Sequence, residues 1–256
     1  MMRIPFIIAE AGSCHEETLS RATQLIRTAA EAGADACKFQ YWSDASRMRT
    51  RRRIEPPAYD VGSVREAWLG NLRDVCHTAE LLFACSVYLP EDVETVAKYA
   101  DVFKISSFEA RDRELFKTVL AVRGDRPLFI STGMQTADEA ARDKFSPAIY
   151  LHCVSAYPCP PEQANLGAIE PHEGYSDHTR VIYTGGLAVA CGADYLEVHF
   201  RLNETSPNCP DYVVALSPDD LAKYIYWART AHVMRGPGEK CIMDAERENL
   251  QYRVVS

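Results

Sequence analysis

The chain has no run of eighteen apolar residues, so nothing in it reads as a membrane-spanning helix. Its N-terminus, MMRIPFIIAE, lacks a charged segment followed by a long apolar stretch and does not read as a signal peptide. No two of its nine cysteines have C-x-x-C spacing, and they are scattered. That usage argues against a disulfide framework and for reduced thiols in a cytoplasmic protein, with Cys37, Cys85, Cys153 and Cys191 as small core residues. There is no basic excess. With 36 acidic against 28 basic residues the net charge is −8, which excludes a general nucleic-acid surface. The first apolar run is followed by AGSCHE (11–16), not by the glycine-rich turn of a dinucleotide-binding open sheet.

What the chain does have is a polar residue at the end of one apolar run after another. IPFIIAE ends in Glu10, ADACKFQ carries Lys38 and Gln40, and DVFKISS carries Lys104 and Ser107. LFIST ends in Ser131 and Thr132, EGYSDH in Ser176, Asp177 and His178, and DYLEVHF carries Glu197 and His199. Burying an unpaired charge costs several kcal/mol in order-of-magnitude terms, so core strands do not carry such residues without a reason. Repeated at the carboxyl ends of parallel strands, they read as the active-site end of a β/α barrel.

The spacing of apolar residues supports that architecture. Strands are predicted over 4–10, 35–40, 81–86, 101–107, 127–132, 147–153, 172–177 and 194–200. Helices are predicted near 17–32, 63–80, 90–99, 111–122, 136–144, 163–169, 179–192 and 218–235, with irregular stretches at 41–61 and 201–216. Eight strand–helix pairs in 256 residues predict one (β/α)₈ TIM barrel over 1–235, with 236–256 as a tail. A doubly wound open sheet is the rival. RMRTRRR (47–53) puts five arginines in seven positions of an otherwise acidic chain. They would sit on a loop at the catalytic face, either as a solvated charged segment or as a recruiter of an anionic substrate.

His178 and His199 end the seventh and eighth predicted strands. Neighbouring strands lie about 5 Å apart, so the two imidazoles can share a metal ion, with Asp177 and Glu197 beside them as supporting groups. His152 reads as barrel interior and His172 as a residue of the bottom face.

In order and spacing, these segments resemble the sialic acid synthase family over nearly the whole chain. The resemblance rests on FIIAEAGSCHE (6–16), AGADACKFQ (32–40), FKISSFE (103–109), ISTGM (130–134), LHCVSAYPCPPEQANL (151–166), GYSDHT (174–179), LEVHF (196–200) and CPDYVVAL (209–216). Cys14 stands where that family normally has Asn, and Ser86 where it normally has Thr. The resemblance implies condensation of phosphoenolpyruvate with an amino-sugar aldehyde, giving a 2-keto-3-deoxy sugar acid and phosphate. Lys38 and Lys104 would neutralise the carboxylate and phosphate, with Ser86, Ser107, Ser131 and Ser176 adding hydroxyls. His178 and His199 would hold Mn²⁺ or Mg²⁺, although imidazoles alone would equally suit Zn²⁺. Glu10 and Asp211 would orient the sugar or the attacking water, and Gln40, Tyr157 and Glu109 would line the same pocket. Glu109 reads equally well as a charge at the start of the helix near 111–122. The family usually carries a hairpin before the barrel and a C-terminal antifreeze-like domain whose arginine reaches the sugar in a paired subunit. Here 236–256 resembles the start of the linker to that domain. The implied partners are a second copy of the chain or a separate antifreeze-like chain. The alternatives are the same chemistry on a phosphorylated or nucleotide-linked aldehyde, or a catalytically silent sugar- or metabolite-binding barrel acting as a partner subunit.

Overall fold

A computed structural model describes residues 4–55, 59–142, 144–170, 172–236 and 238–254. Eight parallel strands close into a barrel in chain order, the last pairing with the first. They are β1 (Phe6–Glu10), β2 (Ala36–Tyr41), β3 (Leu82–Val87), β4 (Val102–Ile105), β5 (Leu128–Ser131), β6 (Ile149–Cys153), β7 (Gly174–Asp177) and β8 (Tyr195–His199). The predicted (β/α)₈ architecture is borne out, and the open-sheet rival is excluded by the β1–β8 ladder.

Side chains alternate in and out along each strand, which is why the composition is layered. Inside the barrel, Ile8, Ala36, Ala84, Val102, Phe129 and Leu151 form an apolar plug in its N-terminal half. Two residues further along the same strands, the same face presents Glu10, Lys38, Ser86, Lys104 and Ser131. The plug therefore floors a polar chamber that opens at the carboxyl end. Outside, the strands pack on α1 (Leu19–Ala32), α3 (Leu69–Thr78), α5 (Arg113–Arg123), α7 (Thr184–Ala190), α8 (Pro218–Arg235) and the short helix α4 (Val93–Ala97), while the short α6 (Ala137–Arg142) buries no residue. α1 shows how local sequence does this. Ala22, Leu25, Ile26 and Ala29 recur on one buried stripe, and Gly33 ends the helix at φ 88°.

Two segments differ from the sequence reading. The stretch 41–61 is not wholly irregular: Ala45–Arg52 forms α2, because the Asp44 carboxylate caps the amides of Ser46 and Arg47. The paired prolines at 56 and 57 lie outside the described residues. The helix predicted near 163–169 is replaced by two 3₁₀ turns, Pro161–Gln163 and Leu166–Ala168, in a segment rich in proline. Beyond α8, Asp244–Tyr252 forms an exposed 3₁₀ segment.

Candidate active site

The carboxyl ends of the strands enclose a cavity of about 310 Å³ lined by residues of all eight strands or the loops that follow them. Its base is a chain of buried charges. Lys38 Nζ lies 2.7 Å from the Glu10 carboxylate and 3.7 Å from Glu197, and donates to Ser86 Oγ at 2.8 Å. Lys104 Nζ lies 3.5 Å from the same Glu197 and donates to Ser131 Oγ at 2.8 Å. Two ammonium groups thus share one carboxylate. Burial pulls the Lys38 ammonium down, but the Glu10 and Glu197 carboxylates together outweigh it and its net shift is upward. Lys104 moves downward, because burial and the charge on Lys38 are not fully offset by Glu197. Burial opposes ionisation of Glu197, yet Lys104 and Lys38 overcome it and hold the carboxyl down at about 2. Ser176 Oγ donates to Glu197 at 3.0 Å. Glu197 is therefore first a counter-ion for the lysines; it supports the histidine pair, as expected, only through its charge, since its oxygens lie on Lys38 and Lys104 and its hydrogen bond is from Ser176.

The two histidines face each other with ring centroids 5.5 Å apart. His178 Nδ1 faces the Val154 carbonyl at 2.8 Å, which fixes the proton on Nδ1 and leaves the Nε2 lone pair available. Burial and the neighbouring His199 push His178 down to about 4, so the ring is neutral at pH 7. His199 Nδ1 makes no hydrogen bond and lies 3.6 Å from Asp211 Oδ1. Among the described residues no cluster of three or more His, Cys, Asp or Glu side chains could hold a metal ion. The donor set, two imidazoles in a cavity with room for water, fits a divalent ion whose other positions would be taken by water or substrate oxygens, and by itself does not select Mn²⁺ or Mg²⁺ over Zn²⁺. The Tyr157 ring packs against His178 at a tilt of 37°, with ring centroids 4.2 Å apart.

The upper wall depends on contacts distant in sequence. Asp211 accepts from Ser13 N at 2.6 Å and Ser13 Oγ at 2.7 Å, and Asp211 N donates back to Ser13 Oγ at 3.1 Å. Gly12, at φ 49°, lets the chain pass beneath this carboxylate, since a Cβ there would lie 2.4 Å from Asp211 Oδ2. Gly12→Ala is accordingly expected to lower stability by roughly 1–2 kcal/mol from backbone strain alone and to displace Asp211. Thermal denaturation checks the first effect, and a crystal structure of the variant the second.

Gln40 bridges Glu10 at 2.8 Å and the Tyr88 hydroxyl at 2.9 Å. Ser107 lines the cavity but is engaged by Gly133 N at 3.0 Å and Cys153 Sγ at 3.0 Å. Glu109 lies behind the wall. It is buried, accepts from Ser106 Oγ at 2.5 Å, and pairs with Arg52 through Nε at 2.9 Å and Nη2 at 2.7 Å. It does not cap the next helix, which is capped by Asp112.

The arginine segment is a helix, not a loop, and four of its five arginines have a carboxylate partner. Arg47 pairs with Glu91 at 2.5 Å, Arg49 with Asp60, and Arg51 with Asp112. Arg52 alone among these lines the cavity, with its guanidinium 4.2 Å from the Phe108 ring and 5.0 Å from that of Tyr59. His152 and His172 also depart from expectation. His152 has the outward parity of Tyr150, and its ring lies 5.8 Å from that of His172, whose Nε2 is 3.0 Å from Thr132 Oγ1. Both sit beside a separate outer cavity. Reasoning from the sequence missed Ser13, Tyr59, Tyr88 and Phe108, which are loop or strand-end residues without a spacing signal.

Residues 25–240 match the NeuB family. The chain is 33% identical to the spore coat polysaccharide biosynthesis protein SpsE of Bacillus subtilis over 86% of its own length and 65% of that protein's. It is 29% identical to the N,N'-diacetyllegionaminic acid synthase of Campylobacter jejuni, over 97% of this chain and 83% of that one. Its structure superposes with a TM-score of 0.85 on an N-acetylneuraminic acid synthetase of Leptospira borgpetersenii crystallised with citrate, 28% identical, covering 97% of this chain and 91% of the other. The polar strand ends, the barrel that gathers them and this agreement along most of the chain have one reading: the chain belongs to the NeuB family.

Proposed function

We propose that this barrel is a carbohydrate-biosynthetic synthase that condenses phosphoenolpyruvate with an aldose, releasing phosphate and forming a 2-keto-3-deoxy sugar acid. The observation that carries the reading is the pair of buried lysines sharing Glu197 in an open cavity, each with a serine hydroxyl attached. A small ligand with a carboxylate and a phosphate matches two fixed ammonium groups with hydroxyl donors beside them. Ser107 and Ser176 lie within reach of the same ligand.

In this mechanism Lys38 and Lys104 bind and orient phosphoenolpyruvate, with C3 toward the acceptor carbonyl held between Tyr157 and Asp211. The new bond forms between C3 and the aldehyde carbon. Water then adds at C2, and the tetrahedral adduct collapses with loss of phosphate. Glu10, held by Gln40 and Lys38, is placed to take the proton from that water. Asp211 orients acceptor hydroxyls, and the Ser13 contacts fix its position. His178 and His199 would hold a divalent cation such as Mn²⁺ or Mg²⁺, which supplies Lewis-acid polarisation of the acceptor aldehyde when bound.

The acceptor is a neutral aldose. Arg47, Arg49 and Arg51 are already compensated by carboxylates, and Arg52 presents a neutral Arg–Glu pair to the cavity. Replacing Arg47, Arg49 and Arg51 together by Ala is expected to leave the ratio of neutral to phosphorylated aldose turnover unchanged, since exposed pairs are worth about 1 kcal/mol at most. The double variant Arg52→Gln, Glu109→Gln leaves no unpaired charge and should raise acceptor KM roughly tenfold, the scale of one charge-assisted contact. Its affinity for phosphoenolpyruvate should not change.

The test of the reaction is phosphate release from phosphoenolpyruvate with a panel of aldoses and Mn²⁺, with the sugar acid identified by mass spectrometry. Binding of phosphoenolpyruvate without turnover of any aldose would favour the silent-barrel alternative.

A further inference from the structure

The loop after β1 and the loop after β8 meet above the active-site wall, and each brings a cysteine. Cys14 Sγ and Cys209 Sγ lie 3.6 Å apart, although 195 residues separate them in the chain. Cys14 is fully buried, and Cys209 lines a small surface cavity with Ser13, Gly62, Asn208 and Pro210. Cys209 Sγ is also 3.2 Å from Ser13 Oγ. The pair therefore adjoins the three hydrogen bonds by which Ser13 positions Asp211.

We propose that Cys14 and Cys209 form an oxidative modification site, at which a peroxide links the two loops by a disulfide and thereby displaces Asp211. The geometry suits the chemistry. Cys209 is 6% exposed and lines a surface cavity through which a small peroxide would reach it, its partner is already in van der Waals contact, and bond formation needs the sulphurs to close to about 2.0 Å. The environment supports it as well. Cys209 Sγ donates to Cys14 Sγ; that contact, Ser13 and the Asp211 amide together hold the Cys209 thiol down at about 7, while the same contact and burial push Cys14 up. Cys209 is thus the nucleophile and Cys14 the resolving thiol.

The Cys209 thiolate attacks one oxygen of hydrogen peroxide, breaking the O–O bond and giving a sulfenic acid and water once the leaving hydroxide is protonated. Cys14 sulphur then attacks the sulfenic sulphur. The S–S bond forms, the S–O bond breaks, and the thiol proton leaves with the hydroxyl as a second water. Two thiols are oxidised and one peroxide is reduced to two waters.

The pull is transmitted directly. Ser13 precedes Cys14, and Asp211 follows Cys209 by two residues, so closing the sulphurs shears the Ser13–Asp211 contacts. A displacement of about 1 Å at a positioning group costs up to two orders of magnitude in rate, and about tenfold loss of turnover is expected here. This consequence rests on the synthase reading; formation of the disulfide does not.

The experiment treats the reduced full chain with hydrogen peroxide, alkylates the remaining thiols and maps peptides by mass spectrometry, with turnover followed in parallel. A cross-linked pair of peptides carrying Cys14 and Cys209, reversed by dithiothreitol, is the expected result. Turnover should fall about tenfold and recover with the reductant, whereas Cys14→Ser should keep basal turnover and resist peroxide. Peroxide captured at exposed Cys191 and Cys241 with no 14–209 cross-link would overturn the site. Inactivation of both Cys14→Ser and Cys209→Ser at the wild-type rate, or a cross-link without loss of turnover, would overturn the control of Asp211. If no aldose is turned over at all, the synthase reading fails while the cross-link is still scored by mass.

Discussion

Replacing Lys104 by Met together with Glu197 by Gln is expected to reduce phosphoenolpyruvate affinity by at least thirtyfold while the barrel remains folded, about 2 kcal/mol or more for a lost charge-assisted contact. The pairing of substitutions matters. Lys38→Met alone leaves Glu10 and one side of Glu197 uncompensated in a buried chamber, and breaking such a pair costs roughly 3–5 kcal/mol of stability. In the paired variant the carboxyl is neutral, so loss of stability and loss of binding separate. Isothermal titration with phosphoenolpyruvate, beside a urea melt, reads the two effects. Unchanged affinity in the paired variant would place the ligand elsewhere.

The second large effect is expected at the imidazole pair. His178→Ala and His199→Ala should each lower Mn²⁺ affinity by two orders of magnitude or more, because under the proposed assignment each would remove one of the two protein ligands. Electron paramagnetic resonance of free Mn²⁺ at fixed protein concentration measures this without reference to catalysis. The fold should survive both changes, since neither ring supports a strand ladder and His178 bonds to a loop carbonyl. Equal Mn²⁺ affinity in wild type and both variants would refute the assignment.

The legible part of this protein follows from the two-residue period of a β-strand. Ile8 and Glu10, Ala36 and Lys38, and Val102 and Lys104 occupy the same face of their strands whatever the rest of the chain does. Apolar then polar on one face means a plugged barrel with chemistry at its carboxyl end. The same rule applied to His152 identifies the error in reading it as interior: it shares the parity of Tyr150, not of Leu151. Helix α2 was hidden because its arginine-rich residues carry almost no apolar period; its start is determined by the Asp44 cap.

The sequence by itself determined the eight-strand alternation, the layer of charges at the strand ends and the family to which the chain belongs. Local periodicity and short motifs carry all three. Tertiary structure alone decided which charges meet. Closing β8 against β1 puts Glu197 between Lys38 and Lys104, and brings Ser13 to Asp211 and Cys14 to Cys209. Folding α2 over the β4 loop buries Arg52 on Glu109, 57 residues away. No local spacing encodes these pairs, because each depends on ring closure and on the low dielectric of the closed chamber. There an uncompensated charge costs several kcal/mol, so every charge must find its partner across the barrel.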